Sequence, residues 1–132
     1  SVYIALAGSG AEVIDGRVAA QVATIHADYL AGTGVTLLEY DLAEELANAV
    51  LGGEADAALV DREFAEDTIA EYGDELIFVG PEVPLDSGIG VGVREDDKWL
   101  KDRLDRAIDE MKKDGSLNAL IKRWFDEDAE TF

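Results

Sequence analysis

The chain contains no cysteine, a single histidine and only two prolines in 132 residues. Without cysteine it has no disulfide, no thiolate metal site and no cysteine nucleophile. One histidine cannot build a histidine-based metal site, and no acidic cluster has ligand spacing, so we expect neither a metal nor a cofactor. The lack of cysteine suits a cytosolic protein, or a periplasmic one that folds without disulfides.

Basic residues are also scarce. The chain has 11 of them against 30 acidic residues, which gives a formal net charge of −19. This balance argues against nucleic acid and against anionic membrane surfaces, because both need a basic footprint. No apolar run approaches the roughly 18 to 20 residues that span a bilayer, so we expect no membrane insertion.

Enzyme signatures are missing as well. The "GSG" of residues 8–10 lacks the third glycine of a dinucleotide fingerprint and the Lys-Ser/Thr of a phosphate loop. No serine lies in a nucleophile elbow. We therefore expect a protein that is not an enzyme.

What the chain does have is an alternation of short apolar runs and helical patterns. The runs that predict strands are 2–6, 17–22, 35–40, 56–60 and 75–80, and a glycine-rich run at 88–93 predicts a sixth. Helical patterns between the strands from 17 to 80 predict right-handed βαβ units and helices on both faces of the sheet. The predicted fold class is α/β, with a mostly parallel sheet.

Helix boundaries are marked by acidic and glycine residues. Asp41 followed by Glu44 has the spacing of a capping box, and Gly52 follows that helix. Asp96 or Asp97 is expected to cap a long helix. Ser116 is expected to cap the last helix, whose apolar stripe is Leu117, Leu120, Ile121, Trp124 and Phe125.

Two strand-to-helix junctions carry complementary polar groups. Thr24 follows the second strand, and the free amides of a helix start there favour an anion. Asp61 follows "DAALV" and could accept hydrogen bonds from an ammonium group. Together they fit a zwitterion such as an amino acid. Taken singly, each side chain is also an ordinary helix cap, and His26 an ordinary surface residue.

The C-terminal third resembles a known family. The segment "GIGVGVREDDKWLKDRLDRAIDEMKKDGSLNALIKRWF" is similar to the end of the polar amino-acid-binding proteins of ABC importers, the family 3 solute receptors. "GRVAAQVATIHADYL" and "LAEELANAVLGGEADAALVD" resemble two stretches of their second lobe. The resemblance implies a periplasmic binding protein type II lobe: a three-layer α/β/α sandwich with one antiparallel hinge-type strand.

The resemblance also implies the residues of a binding site. Thr24, Ile25 and His26 match positions that hold the ligand α-carboxylate, and Asp61 matches the aspartate that holds the α-ammonium. Gln21 matches a position near the ligand side chain. Two residues depart from the family: Ala23 and Ile25 stand where glycine and threonine are usual, so Ile25 offers only its backbone amide.

The resemblance covers only part of such a receptor. Residues of about 1–93 match the second lobe and about 96–125 the C-terminal helices, within a single α/β domain of 1–132, and the first lobe is absent. This implies a truncated or engineered fragment that binds a polar or basic amino acid weakly by itself. We also expect a periplasmic location after removal of a signal peptide. The expected protein partners are the permease of an ABC transporter and a second copy of the chain, bound through the C-terminal helices.

A second hypothesis from another class stays open at this point. A receiver-like α/β signalling or structural domain that self-associates has a similar alternation of strands and helices. Such domains need an acidic pair after the first strand, and neither "AGSG" nor "ATIH" supplies one.

Overall fold

The computed structural model forms two compact units, residues 1–89 and 90–132. Across the chain it describes residues 1–85, 88, 90–125, 129 and 131–132. The first unit contains β1 (Val2–Leu6), β2 (Arg17–Gln21), α1 (Ile25–Ala31), β3 (Thr36–Tyr40), α2 (Ala43–Leu51), β4 (Ala57–Val60), α3 (Arg62–Tyr72) and β5 (Leu76–Val79), with short 3₁₀ turns at Ala11–Asp15 and Gly73–Glu75. The second unit contains α4 (Lys98–Asp114) and α5 (Ser116–Trp124).

One five-stranded sheet organises the first unit, in the order β3-β2-β4-β1-β5. Strand β2 runs parallel to both β3 and β4. Strand β1 runs antiparallel to both β4 and β5. Four strands therefore share one direction and β1 opposes them, which confirms the predicted mostly parallel sheet with one antiparallel strand.

The core lies on both faces of this sheet because side chains alternate along each strand. On β1, Val2 and Ile4 pack into one apolar cluster, whereas Tyr3 and Ala5 pack into the other. The first cluster also contains side chains from two helices: Leu46, Ala47, Ala49 and Val50 of α2, and Ala65 of α3. The second takes Ala27 and Leu30 from α1. Helices thus cover both faces, and the predicted three layers are present.

The start of α2 differs from the prediction. Its N-cap is Leu42, one residue after the predicted Asp41, and the backbone N–H of Leu42 donates to Glu45 Oε2 at 2.9 Å. Leucine has no side-chain acceptor, so only the glutamate half of a capping box forms. The backbone carbonyl of Asp41 instead accepts from Gln21 Nε2, which ties the loop before α2 to the end of β2.

An ion pair joins the starts of β2 and β4. Asp56 Oδ2 accepts from the backbone N–H and from Nε of Arg17, at 2.8 and 3.1 Å, and Oδ1 accepts from Arg17 Nη2 at 2.6 Å. These hydrogen bonds hold the pKa of Asp56 below its ordinary value. The carboxylate passes so close to Gly16 that a Cβ there would lie 2.6 Å from Asp56 Oδ2. A side chain at position 16 would therefore displace the Asp56 carboxylate from its place beside Arg17.

In the second unit α4 and α5 follow one another through Gly115, which has φ of 81°. The backbone N–H of Ser116 donates to Asp114 Oδ1 at 2.8 Å. The predicted N-cap of α5, Ser116, is wrong by one residue, because Gly115 occupies that position. Neither helix contains a buried residue. Asp97, one of the two predicted residues, occupies the N-cap position of α4, but its side chain makes no capping hydrogen bond.

The predicted strand at 88–93 is not present in the residues that can be described. Gly88 and residues 90–93 lie outside any strand, and Ile89 lies outside the described residues. Glycine at every second position leaves few side chains to pack, which weakens a strand that has no partner. Among the helices of the described ranges, none has the length and apolar character needed to cross a membrane.

Candidate functional site

The sheet has a topological switch point between β2 and β4. After β2 the chain crosses through α1 to β3 on one side, and after β4 it continues through α3 towards β5 on the other side. Helix α1 packs on one face and α3 on the opposite face, so their first turns diverge. In open α/β sheets this divergence leaves a crevice at the carboxyl ends of the strands, where ligands bind. We call the region where α1 and α3 begin the switch-point crevice.

The end of β2 forms one wall of the crevice. Gln21 is the last residue of β2, and its Nε2 donates to the backbone carbonyl of Asp41 at 3.0 Å. Ala23 turns the chain with φ of 56°, a left-handed conformation that costs a residue with a Cβ roughly 1–2 kcal/mol. This turn carries the chain from β2 into the first turn of α1.

Thr24 is the N-cap of α1. Its Oγ1 accepts from the backbone N–H of Ala27 at 3.3 Å and donates to the carbonyl of Gln21 at 2.7 Å. The ordinary capping role is therefore present, and the single hydroxyl proton points towards the protein and not towards the crevice. Any donation from this residue to a ligand comes from its backbone N–H.

The next two residues begin α1 and differ in exposure. Ile25 is 46% exposed, whereas His26 is 7% exposed. First-turn amides have no intrahelical acceptor, and the partial positive charge of a helix N-terminus favours an anion. His26 Nε2 lies 3.0 Å from Ser1 Oγ, so its imidazole is turned into the protein.

Asp61 lies at the other wall of the crevice. It is the N-cap residue of α3, yet its side chain makes no capping hydrogen bond. The carboxylate is 69% exposed, and its Oδ1 lies 3.4 Å from His26 Nε2. The structure thus brings Asp61 and His26 together from different helices, and it leaves the carboxylate available to a cation.

Sequence reasoning missed several polar neighbours of the crevice. Ser1 reaches His26 because β1 is antiparallel and pairs Val2 with Val60, a register that the sequence pattern does not reveal. Arg62 Nη2 lies 2.6 Å from Glu82 Oε2, and its guanidinium lies 5.7 Å from the Phe78 ring centroid. An open groove of about 190 Å³ runs beside this pair.

The part of the chain that the structure describes contains no cluster of metal-binding side chains. No group of three or more histidine or acidic side chains is placed there to hold a metal ion. The crevice offers backbone N–H groups at the start of α1 and a carboxylate at the start of α3. The fold is therefore an α/β domain with polar groups at its switch point, which is where open α/β sheets bind ligands.

The chain belongs to the bacterial extracellular solute-binding proteins, family 3, whose family model matches residues 3–127. It is similar to the crystal structure of a periplasmic His/Glu/Gln/Arg/opine family-binding protein from Silicibacter pomeroyi in complex with lysine, with 49% identity and a TM-score of 0.89 over 99% of this chain and 59% of that one. This membership confirms the resemblance drawn from the sequence and does not favour the receiver-like alternative.

Two curated relatives come from Escherichia coli (strain K12). The histidine-binding periplasmic protein is 29% identical over 76% of this chain and 41% of its own length. The lysine/arginine/ornithine-binding periplasmic protein is 29% identical over 70% of this chain and 38% of its own length. The chain therefore spans less than half the length of these two relatives.

Proposed function

We propose that this chain is the amino-acid-binding second lobe of a solute receptor for an ABC importer, and that it has no catalytic activity. The observation that carries the proposal is the family match over residues 3–127. The crevice supports it, because the amides of α1 favour an anion and the Asp61 carboxylate favours a cation. We assign the ligand α-carboxylate to the backbone amides of Thr24, Ile25 and His26, and the α-ammonium to Asp61. Gln21 lines the site nearer to the ligand side chain.

The ligand class follows from relatives that are similar to this chain. The Silicibacter pomeroyi structure holds lysine, and the two curated relatives are named for histidine and for lysine, arginine and ornithine. We therefore propose a polar or basic amino acid. The same relatives are named periplasmic, which supports an extracytoplasmic location, and an ABC permease is the proposed protein partner.

The proposal divides the chain into a second lobe and a C-terminal return segment. Residues of about 1–93 form the second lobe, and the helices of about 96–125 form the C-terminal return segment. Burial of a small ligand needs enclosure on most sides, and this chain spans 59% of the lysine-bound relative. We therefore expect weak binding by this chain alone, with a dissociation constant in the millimolar range.

The test is a titration of the isotope-labelled chain with L-lysine, followed by amide NMR shifts. The proposal predicts saturable shifts centred on residues 21, 24–26 and 61. Nα-acetyl-lysine, which lacks the α-ammonium, is the matched control ligand and should produce much smaller shifts. A micromolar or tighter constant would contradict the half-site assignment, and shifts scattered away from the crevice would contradict the site itself.

A matched pair of variants sharpens this test. Asp61→Asn keeps the shape of the side chain and removes the charge that faces the ammonium, so lysine shifts at the crevice should be lost. Asp67→Asn makes the same change on an exposed residue of α3 outside the crevice and should leave the titration unaltered. Equal responses from both variants would mean that Asp61 does not bind the ammonium.

A further inference from the structure

The imidazole of His26 joins three elements at the crevice. His26 belongs to α1, and its Nε2 lies 3.0 Å from the hydroxyl of Ser1, just before β1. The same nitrogen lies 3.4 Å from Oδ1 of Asp61, at the start of α3. The ring is buried while the carboxylate it faces is 69% exposed, so the fixed partner in this contact is the histidine.

The contact has a definite chemical requirement. A carboxylate oxygen only accepts hydrogen bonds, so the approach of Asp61 is favourable only when Nε2 carries a proton. A serine hydroxyl can accept from the same N–H, and Ser1 is placed to share it. In the tautomer that carries the proton on Nε2, the buried imidazole presents a donor to the crevice wall and attracts the Asp61 carboxylate towards it.

Asp61 needs such a partner because its own helix does not hold it. Its side chain makes no capping bond to α3, and an exposed side chain without a partner samples several rotamers. Ordering those rotamers on binding would reduce affinity, because side-chain immobilisation has an entropic cost. A contact that already restricts the carboxylate removes part of that cost.

We propose that the His26 imidazole is a positioning residue that orients the Asp61 carboxylate for the ammonium group of an amino acid. This role rests on the function proposed above and goes beyond it, because there His26 acts through its backbone amide alone. The side chain does not touch the ligand. It acts through Asp61, and its removal should leave the α1 amides in place.

The experiment compares three forms of the chain: the unaltered protein, H26L and H26Q. Glutamine keeps an N–H donor that can replace Nε2–H, whereas leucine keeps apolar bulk without a donor. The first measurement needs no ligand: the χ1 rotamer of Asp61 from three-bond scalar couplings. One rotamer is expected in the unaltered protein and in H26Q, and rotamer averaging in H26L.

The second measurement is the L-lysine titration. H26L should weaken binding about tenfold, the lower end of the effect that removal of an orienting partner has at metal sites, and H26Q should recover most of the affinity. Ser1→Ala is the control, because it removes the hydroxyl that also lies near Nε2 and leaves Asp61 in contact. Thermal unfolding checks that the variants are folded, and H26F replaces H26L if that variant does not fold.

The outcomes separate this inference from the proposed function. A single, unchanged Asp61 rotamer in all three forms would overturn the positioning role whatever the lysine titration gives. Equal lysine affinity in H26L and H26Q would overturn it as well. Absence of any lysine response in the unaltered protein, with the rotamer pattern as expected, would instead count against the proposed function and leave the contact between His26 and Asp61 established.

Discussion

Ala23 is the one non-glycine residue with a positive φ among the residues that the structure describes. Its φ of 56° places the Cβ against the following carbonyl, which is why glycine is favoured in this region. The strained turn lies directly before Thr24 and sets the direction in which the first amides of α1 point. Strain of this kind persists only where the surrounding structure holds it, here between β2 and the cap of α1.

Replacing Ala23 by glycine is therefore expected to stabilise the protein. The strain energy relieved at this turn exceeds the free-energy cost of the greater flexibility that glycine gives the unfolded chain. The free energy of unfolding should therefore rise by about 0.5–1 kcal/mol. Urea unfolding measures it. Ala20→Gly is the matched control, since Ala20 lies within β2 and should lose stability on the same change. A loss of stability in both variants would show that the Ala23 turn is unstrained.

At the scale of elements, the contact of Arg17 with Asp56 aligns β2 with β4 and so aligns the two strand ends that flank the crevice. Its hydrogen bonds lower the pKa of Asp56 from the ordinary 3.8. A carboxyl with a depressed folded-state pKa contributes stability that is fully present above its unfolded pKa. That contribution is lost as pH falls through the folded pKa.

Asp56→Asn should therefore destabilise the protein at neutral pH and have a shrinking effect as pH falls below about 4. Urea midpoints at a series of pH values, from neutral to acidic, measure the difference between the two proteins. Asp67→Asn, on the exposed side of α3, serves again as the control and should have little effect at any pH. A difference that does not change with pH would mean that the charge of Asp56 is unimportant and only its shape matters.

At the scale of the whole molecule, charge is unevenly shared between the two units. Residues 1–89 carry 18 acidic and two basic side chains, whereas residues 90–132 carry 12 acidic and nine basic. Helix α5 and the residue after it also expose large apolar side chains: Trp124 is 73% exposed, Phe125 54% and Leu120 40%. The part of the chain with less net charge thus carries an apolar surface.

The homodimer predicted from the sequence has no support in the comparisons, and it stays a prediction that this surface makes testable. Light scattering should detect a dimer favoured by added salt, because salt screens the acidic repulsion within about 10 Å at 0.1 M. Trp124→Gln should return the protein to a monomer, and Trp99→Gln, on α4, is the matched tryptophan control. A monomer at both low and high salt would refute the dimer.

The sequence by itself determined the class of fold and named the residues of the candidate site. Strand runs and helix signals are local, because apolar periodicity and caps depend on neighbouring residues. The candidate site residues could be named because each lies at a strand-to-helix junction or matches a family position. They are Gln21, Thr24, Ile25, His26 and Asp61. The N-cap of α2 lies one residue after the predicted Asp41, because the side chain of Glu45 accepts a hydrogen bond from the backbone N–H of Leu42.

Only the tertiary structure decided how these junctions meet. The antiparallel direction of β1 brings Ser1 to His26, and the strand order places α1 and α3 on opposite sides of one switch point. The 3.4 Å approach of His26 to Asp61 joins residues 35 positions apart in the sequence. Such an approach depends on sheet register and crossover direction, which arise from packing of the whole sheet and leave no trace in local periodicity.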